Sequence, residues 1–190
     1  MTTVFFDIDT QLDFMFPAGA LYVPGAETIL DHIAVLNHLG HTVISTMDAH
    51  TEDDPEFREW PHHCVAGTLG QRKPSATLLE HRVIAANAPG PITIAHARQI
   101  LLEKQTFDCF TNLKLVRILD ALNADRYVVY GVVTEICVKL AAMGLLKSGR
   151  RVELVTDAVR SLTDEARKKM LGDFTAAGGV LTTVSNVTGV

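Results

Sequence analysis

The sequence predicts an α/β protein, a three-layer α/β/α arrangement built on a mostly parallel sheet. Three observations predict it. Short β-rich runs alternate with amphipathic helical stretches along the 190 residues. Those runs are too apolar to leave a face wet, which marks strands covered by helices on both sides. A content of 47% hydrophobic against 21% charged residues fits a single domain over residues 1–190 with a full core. In such folds functional groups gather at the carboxyl ends of the strands.

Thr3–Ile8 is the first expected strand, ending in carboxylates. A helical pattern at Ala26–Leu39 leads to a second strand at Thr42–Thr46. Met47 to Ile92 then breaks the rhythm; it is long, polar and rich in His and Pro, as functional or mobile loops are. Alternation resumes with a strand at Gln99–Glu103, a helix at Thr111–Leu122, a strand at Arg126–Tyr130 and a helix at Glu135–Ser148. A strand at Arg151–Val155, a helix at Thr163–Ala177 and a strand at Gly178–Val184 complete the set of six strands. The stretch "HRVIAANAPGPITIAHARQ", residues 81–99, fits no element and is read as a hairpin or a cover over the cleft.

Charge and cysteine usage narrow the function. A net charge of -5 and a pI near 5.9 leave no basic surface to neutralise a phosphate backbone, which argues against a nucleic-acid partner. No run approaches the roughly 18 uncharged apolar residues of a membrane span, and "MTTVFFDIDT" has no basic leader region, so a cytoplasmic protein is expected. Three widely spaced cysteines, Cys64, Cys109 and Cys137, suggest reduced thiols rather than a disulfide framework.

Four places carry candidate chemistry. In "GVVTEICVKL" a strand gives way to helical spacing, with Thr134 as a suitable N-cap and Glu135 in the first turn. Cys137 in that turn is either a nucleophile whose thiolate the helix terminus favours or a small core hydrophobe. In "FFDIDTQLDF", Asp7, Asp9 and Asp13 sit at a strand end, where they serve as bases, metal ligands or turn residues. In "TMDAHTEDDPEFREWPHHCVAGT", Asp48 and His50 project to one side of an extended segment, and Glu56, His62 and His63 follow. Carboxylate and imidazole together suit zinc, manganese or iron. His32, His38, His41, His81 and His96 stand apart from this cluster. Lys104 closes an apolar strand, either reaching for the surface or lending its charge to a thiol and a carboxylate. Cys64 and Cys109 are read as structural.

Asp9 in "DTQLDF", Lys104 in "EKQTF" and Cys137 in "GVVTEICV" together resemble the Asp-Lys-Cys triad of the isochorismatase-like cysteine hydrolases. The stretch "DAH", then Glu56, then "WPHHCVAGT" resembles the metal loop of the nicotinamidase branch, and "PAGALYVPGA" matches as well. This resemblance implies a six-stranded, mostly parallel, Rossmann-like sheet and assembly into homo-oligomers. It implies Cys137 as nucleophile, Asp9 as base and Lys104 as orienting cation, with the backbone N–H groups of Val133 and Cys137 as oxyanion hole. Asp48, His50, Glu56 and His63 would hold a divalent transition metal that also receives a pyridine nitrogen. His62 falls at a variable position. Phe14, Leu21 and Trp60 would hold the ring beside Val132 and Val133, which family members join through a cis peptide. The implied reaction is hydrolysis of nicotinamide to nicotinate and ammonia, with another small amide or ureido compound as alternative substrate. A second resemblance competes: "FFDIDT" reads as the Asp-x-Asp of haloacid-dehalogenase-type phosphatases, with Asp7 as nucleophile, Asp9 as acid/base and magnesium as cofactor. A non-catalytic metal-binding or scaffold protein is the third reading.

Overall fold

The apolar run Thr3–Ile8 forms β1, buried along its whole length. In a computed structural model, which describes residues 1–189, it lies in the middle of a seven-stranded sheet. The other strands are β2 (Thr42–Asp48), β3 (Arg82–Ala85), β4 (Gln99–Lys104), β5 (Arg126–Val132), β6 (Arg151–Arg160) and β7 (Val180–Thr182). Their order is β3-β4-β2-β1-β5-β6-β7, and every neighbouring pair is parallel.

The chain builds outward from β1 through β2 and β4, then returns to place β5 on the other side of β1. Strand order therefore reverses at β1 and β5. The loops leaving their carboxyl ends diverge there and open a crevice, the usual ligand site of an open parallel sheet. Asp9 follows β1 and Cys137 lies just beyond β5.

Helices α1 (Leu12–Met15), α2 (Leu30–Asn37), α3 (Leu115–Leu122), α4 (Lys139–Leu146), α5 (Asp164–Ala176) and α6 (Val184–Thr188) flank the sheet. Two differ in character from the expected pattern. The first four residues of the expected Ala26–Leu39 helix are a 3₁₀ turn, Ala26–Ile29, entered through Gly25 at φ 78°. The expected Glu135–Ser148 helix begins as a π-helical turn, Thr134–Val138, and becomes α-helical at Lys139. Such wide turns concentrate at functional sites.

The sheet has seven strands where six were expected. The extra one is β3, an edge strand whose four residues alternate between solvent and interior, with Ile84 exposed. It is only four residues long and carries the apolar Ile84 on its exposed face, so its sequence shows no clean alternation of polar and apolar residues, and it places the start of the 81–99 segment on the sheet edge. Farther along, β6 continues to Arg160 because its pairing with β5 resumes beyond an irregularity at Val129/Gly131. By contrast β7 is only three residues long, since Thr183 leaves the ladder to cap α6 by accepting from Asn186 N at 3.3 Å.

Gly131 is where β5 presses hardest on its neighbour. Its φ is 117°, and a Cβ there would lie 2.2 Å from the Ile8 carbonyl oxygen. Only glycine allows that approach. The next peptide but one, Val132–Val133, is cis, as the resemblance implies.

Candidate active site

Asp9 adopts φ 48°, a left-handed conformation that aspartate tolerates better than most residues. The kink turns its side chain away from the row occupied by Asp7. Thr46 fixes it: the Thr46 hydroxyl donates to Asp9 Oδ1 at 2.6 Å, and the Asp9 N–H points to Thr46 Oγ1 at 3.1 Å. Asp9 Oδ2 is left buried and without a hydrogen bond of good geometry, 2.8 Å from Lys104 Nζ. Lys104, at the end of β4, is fully buried. Its ammonium also donates to Asp48 Oδ1 and stands 3.9 Å from Cys137 Sγ. Acid, ammonium and sulfur, from three strand ends, thus meet at one point.

Electrostatics there is a contest between burial and pairing. Burial pushes the Cys137 thiol well above its ordinary range, against the pull of the Lys104 charge. Asp9 is also pushed up, by burial first, with Lys104 opposing and Asp48 adding. Burial would discharge Lys104, but the Asp48 and Asp9 carboxylates reverse this and hold it well above the usual lysine value. Sulfur, carboxylate and ammonium thus stand together out of water.

Thr134 departs from its expected capping role. It is the first residue of the π-turn rather than its cap, and its hydroxyl donates to Arg160 O at 2.8 Å. The parallel neighbour β6 brings that carbonyl within reach.

Beside Lys104 the other face of Asp48 meets two imidazoles. Asp48 Oδ2 is 3.8 Å from both His50 Nε2 and His63 Nε2, and His63 Nε2 is 3.7 Å from Glu56 Oε1. Groups bound to one zinc at about 2.0–2.2 Å cannot be more than ~4.4 Å apart, and these separations satisfy that limit. Each ring nitrogen facing away is occupied: His50 Nδ1 meets Asp54 Oδ2 at 3.0 Å and His63 Nδ1 meets Pro61 O at 2.8 Å. With Nδ1 as the donor, Nε2 presents a lone pair inward. His50 Nε2 is buried with no hydrogen-bond partner, so the cluster lacks an acceptor-satisfying group at its centre. Burial alone would lower the His50 pKa, yet the Asp48 and Asp54 carboxylates raise it to about 9. The surroundings demand positive charge at that point, and the donor set of Asp48, His50 and His63, with Glu56 at its margin, fits a divalent transition metal. His62 is exposed and stacks on Phe57 at 4.2 Å, outside the cluster.

The sulfur and the cluster open into one pocket lined by Phe14, Leu21, Trp60, Phe107, Val132, Val133, Ile136 and Leu162, with Tyr22 and Val23 at its side. Trp60 and Phe107 meet edge to face at 6.4 Å. Among the described lining residues none is lysine or arginine, and Lys104 is committed to two carboxylates. Phe14, Leu21 and Trp60 were expected there. Phe107, Tyr22, Val23 and Leu162 were not, because isolated apolar loop residues carry no periodic signal. Asp54 was also missed; its position before Pro55 could have marked it as a helix cap, which it is, accepting from Glu56 N at 3.0 Å.

Asp7 corrects the phosphatase reading. Its carboxylate is fully buried and accepts from Thr10 at 2.6 Å, Ser45 at 3.0 Å and Asn37 at 3.2 Å, with Lys73 Nζ also at 3.2 Å. Both oxygens are engaged inside the protein, and Asp7 does not line the pocket. Cys64 and Cys109 are buried, and burial pushes both thiols far above the ordinary range, as fits structural residues.

Comparison with known proteins identifies the family of the chain. Residues 91–186, just over half of the chain, match the isochorismatase domain family, and the chain belongs to that family. Among its relatives, the nicotinamidase of Escherichia coli (strain K12) is 27% identical over 215 aligned residues, covering 94% of this chain and 93% of that protein. PnC1 from L. infantum, solved in complex with nicotinate, superposes with a TM-score of 0.82 at 26% identity, covering 97% of this chain and 93% of that one. A pyrazinamidase of Pyrococcus horikoshii, solved in complex with zinc, gives a TM-score of 0.80 at 27% identity, covering 96% and 99%.

Proposed function

We propose that the chain hydrolyses nicotinamide to nicotinate and ammonia, with Cys137 as nucleophile. The observation that carries this is the meeting of Asp9 and Cys137, on the wall of an apolar, aromatic pocket, with Lys104 buried behind them. A flat, uncharged heteroaromatic amide suits those walls. An amide bearing a carboxylate would enter them with no lysine or arginine side chain among the described lining residues to pair with it. The names of the relatives, a nicotinamidase and a nicotinate complex, support the same substrate.

Asp9 removes the thiol proton as the sulfur attacks the amide carbon, and Lys104 compensates the charge that passes through the sulfur. The backbone N–H groups of Val133 and Cys137 receive the tetrahedral oxyanion. Asp9 returns the proton to the leaving nitrogen, and ammonia departs from a thioester on Cys137. A water deprotonated by Asp9 then attacks the thioester and releases nicotinate. Asp48, His50, Glu56 and His63 would hold a divalent zinc, manganese or iron ion, which would supply a Lewis-acid contact for orienting the ring.

Ammonia release from nicotinamide tests the reading, set beside amides that carry a carboxylate. Cys137→Ala should abolish release, and chelation should raise KM more than it lowers kcat. Activity that survives in Cys137→Ala, or a preference for the carboxylated amides, would overturn it.

A further inference from the structure

The three imidazole and carboxylate ligands come from two separate stretches, Asp48 and His50 at and just beyond the end of β2 and His63 deep in the following loop. Two polar side chains of the turn after β1 reach both. Gln11 is fully buried, and its side-chain amide closes a ladder rung with the Asp48 main chain: Asp48 N donates to Gln11 Oε1 at 2.7 Å and Gln11 Nε2 donates to Asp48 O at 2.9 Å. Gln11 Nε2 also donates to Gln71 O at 2.8 Å. Asp13 Oδ2 accepts from Cys64 N, the residue after His63, at 2.7 Å, and Asp13 Oδ1 accepts from Ala20 N at 3.0 Å. Main-chain bonds run parallel to these, from Leu12 N to Arg72 O and from Asp13 N to Gly70 O. A Cβ at Gly70 would lie 2.1 Å from the Asp13 carboxylate, so the loop approaches as closely as a main chain can.

We infer that Gln11 and Asp13 are positioning residues that preassemble the metal cluster, Gln11 by fixing Asp48 and Asp13 by fixing the main chain beside His63. This rests on the metal reading of the cluster. Neither side chain touches the cluster's centre; each holds the main chain of, or next to, a ligand, as groups behind metal ligands commonly do.

Zinc affinity of the full chain, stripped by a chelator and titrated with Zn²⁺ against a chromophoric competitor, tests this without any assay of activity. Gln11→Met keeps the size and removes the hydrogen bonds, and Asp13→Asn replaces one of two acceptors by a donor. Each should weaken Zn²⁺ binding by about tenfold to a hundredfold. Gln99→Met is the control. Gln99 is an equally buried amide that accepts from Leu79 N at 2.8 Å and donates to Ser45 Oγ at 2.8 Å and Thr77 O at 3.0 Å, away from the ligands. It should lower Tm by a similar amount and leave Zn²⁺ affinity within twofold of wild type. Wild-type affinity in Gln11→Met and Asp13→Asn, or an equal loss in Gln99→Met, would overturn the inference. A wild-type chain that takes up no Zn²⁺ would instead remove the metal reading beneath it.

Discussion

Asp7 and Asp9 are two residues apart in a strand, where alternation would send both side chains to one face. They end up in opposite roles. Asp7 stays in the ladder and is consumed by Lys73, Thr10, Ser45 and Asn37, whereas Asp9 turns at φ 48° and leaves one oxygen beside Lys104 and the sulfur. Chemistry thus follows from one backbone angle and a threonine on the neighbouring strand. The proposed base role predicts that Asp9→Asn, which keeps the shape and the Thr46 contact, lowers kcat by about 10²–10⁴-fold. KM should change little. A kcat within tenfold of wild type would exclude Asp9 as the proton acceptor.

At the scale of elements, β5 and the turn after it do most to position the sulfur. Gly131 lets β5 lie against Ile8 and sits where the pairing with β6 shifts register, just before the π-turn that carries Cys137. Gly131→Ala would set a methyl group against the Ile8 carbonyl at a φ that alanine disfavours. A loss of ~1–3 kcal/mol or more in unfolding free energy is expected. Urea denaturation checks it; an unchanged midpoint would mean that the two strands can separate locally at no cost. Similar close contact explains why β3 eluded the sequence: its four residues gain strand character only by pairing with β4.

Across the whole molecule, charges are divided between the two ends of the sheet. At the carboxyl end an excess of acids surrounds Lys104 and the imidazoles. At the opposite end Glu153, buried near the starts of β5 and β6, takes Arg126 Nη2 at 2.5 Å and Arg151 Nε at 2.5 Å. Burial alone would raise the Glu153 pKa, but the two guanidinium groups hold it below the usual glutamate value. A carboxyl with a depressed folded pKa adds stability above its unfolded pKa of about 4.3, and that stability is lost as pH falls through the folded value. Glu153→Gln should therefore be less stable than wild type at neutral pH, and its urea midpoint should fall less steeply below about pH 4. Parallel pH profiles for the two proteins would show that the arginines do not hold Glu153.

Most of the fold was legible because it is written in local pattern. Short apolar runs between helical patterns gave β1, β2, β4, β5 and β6 with starting residues that the structure keeps, and the order of Asp9, the Asp48–His63 loop, Lys104 and Cys137 already suggested a single site. Only the tertiary structure shows how Asp9 comes to face the sulfur while Asp7 is buried among its partners, and that Gln11, Asp13 and Asp54 stand behind the imidazoles and Asp48. The physical reason is range. Strand and helix patterns repeat over a few residues, whereas the bonds from Gln11 span 37 residues to Asp48 and 60 to Gln71. Such contacts exist only after β1 and β2 have paired and brought their carboxyl ends to one edge.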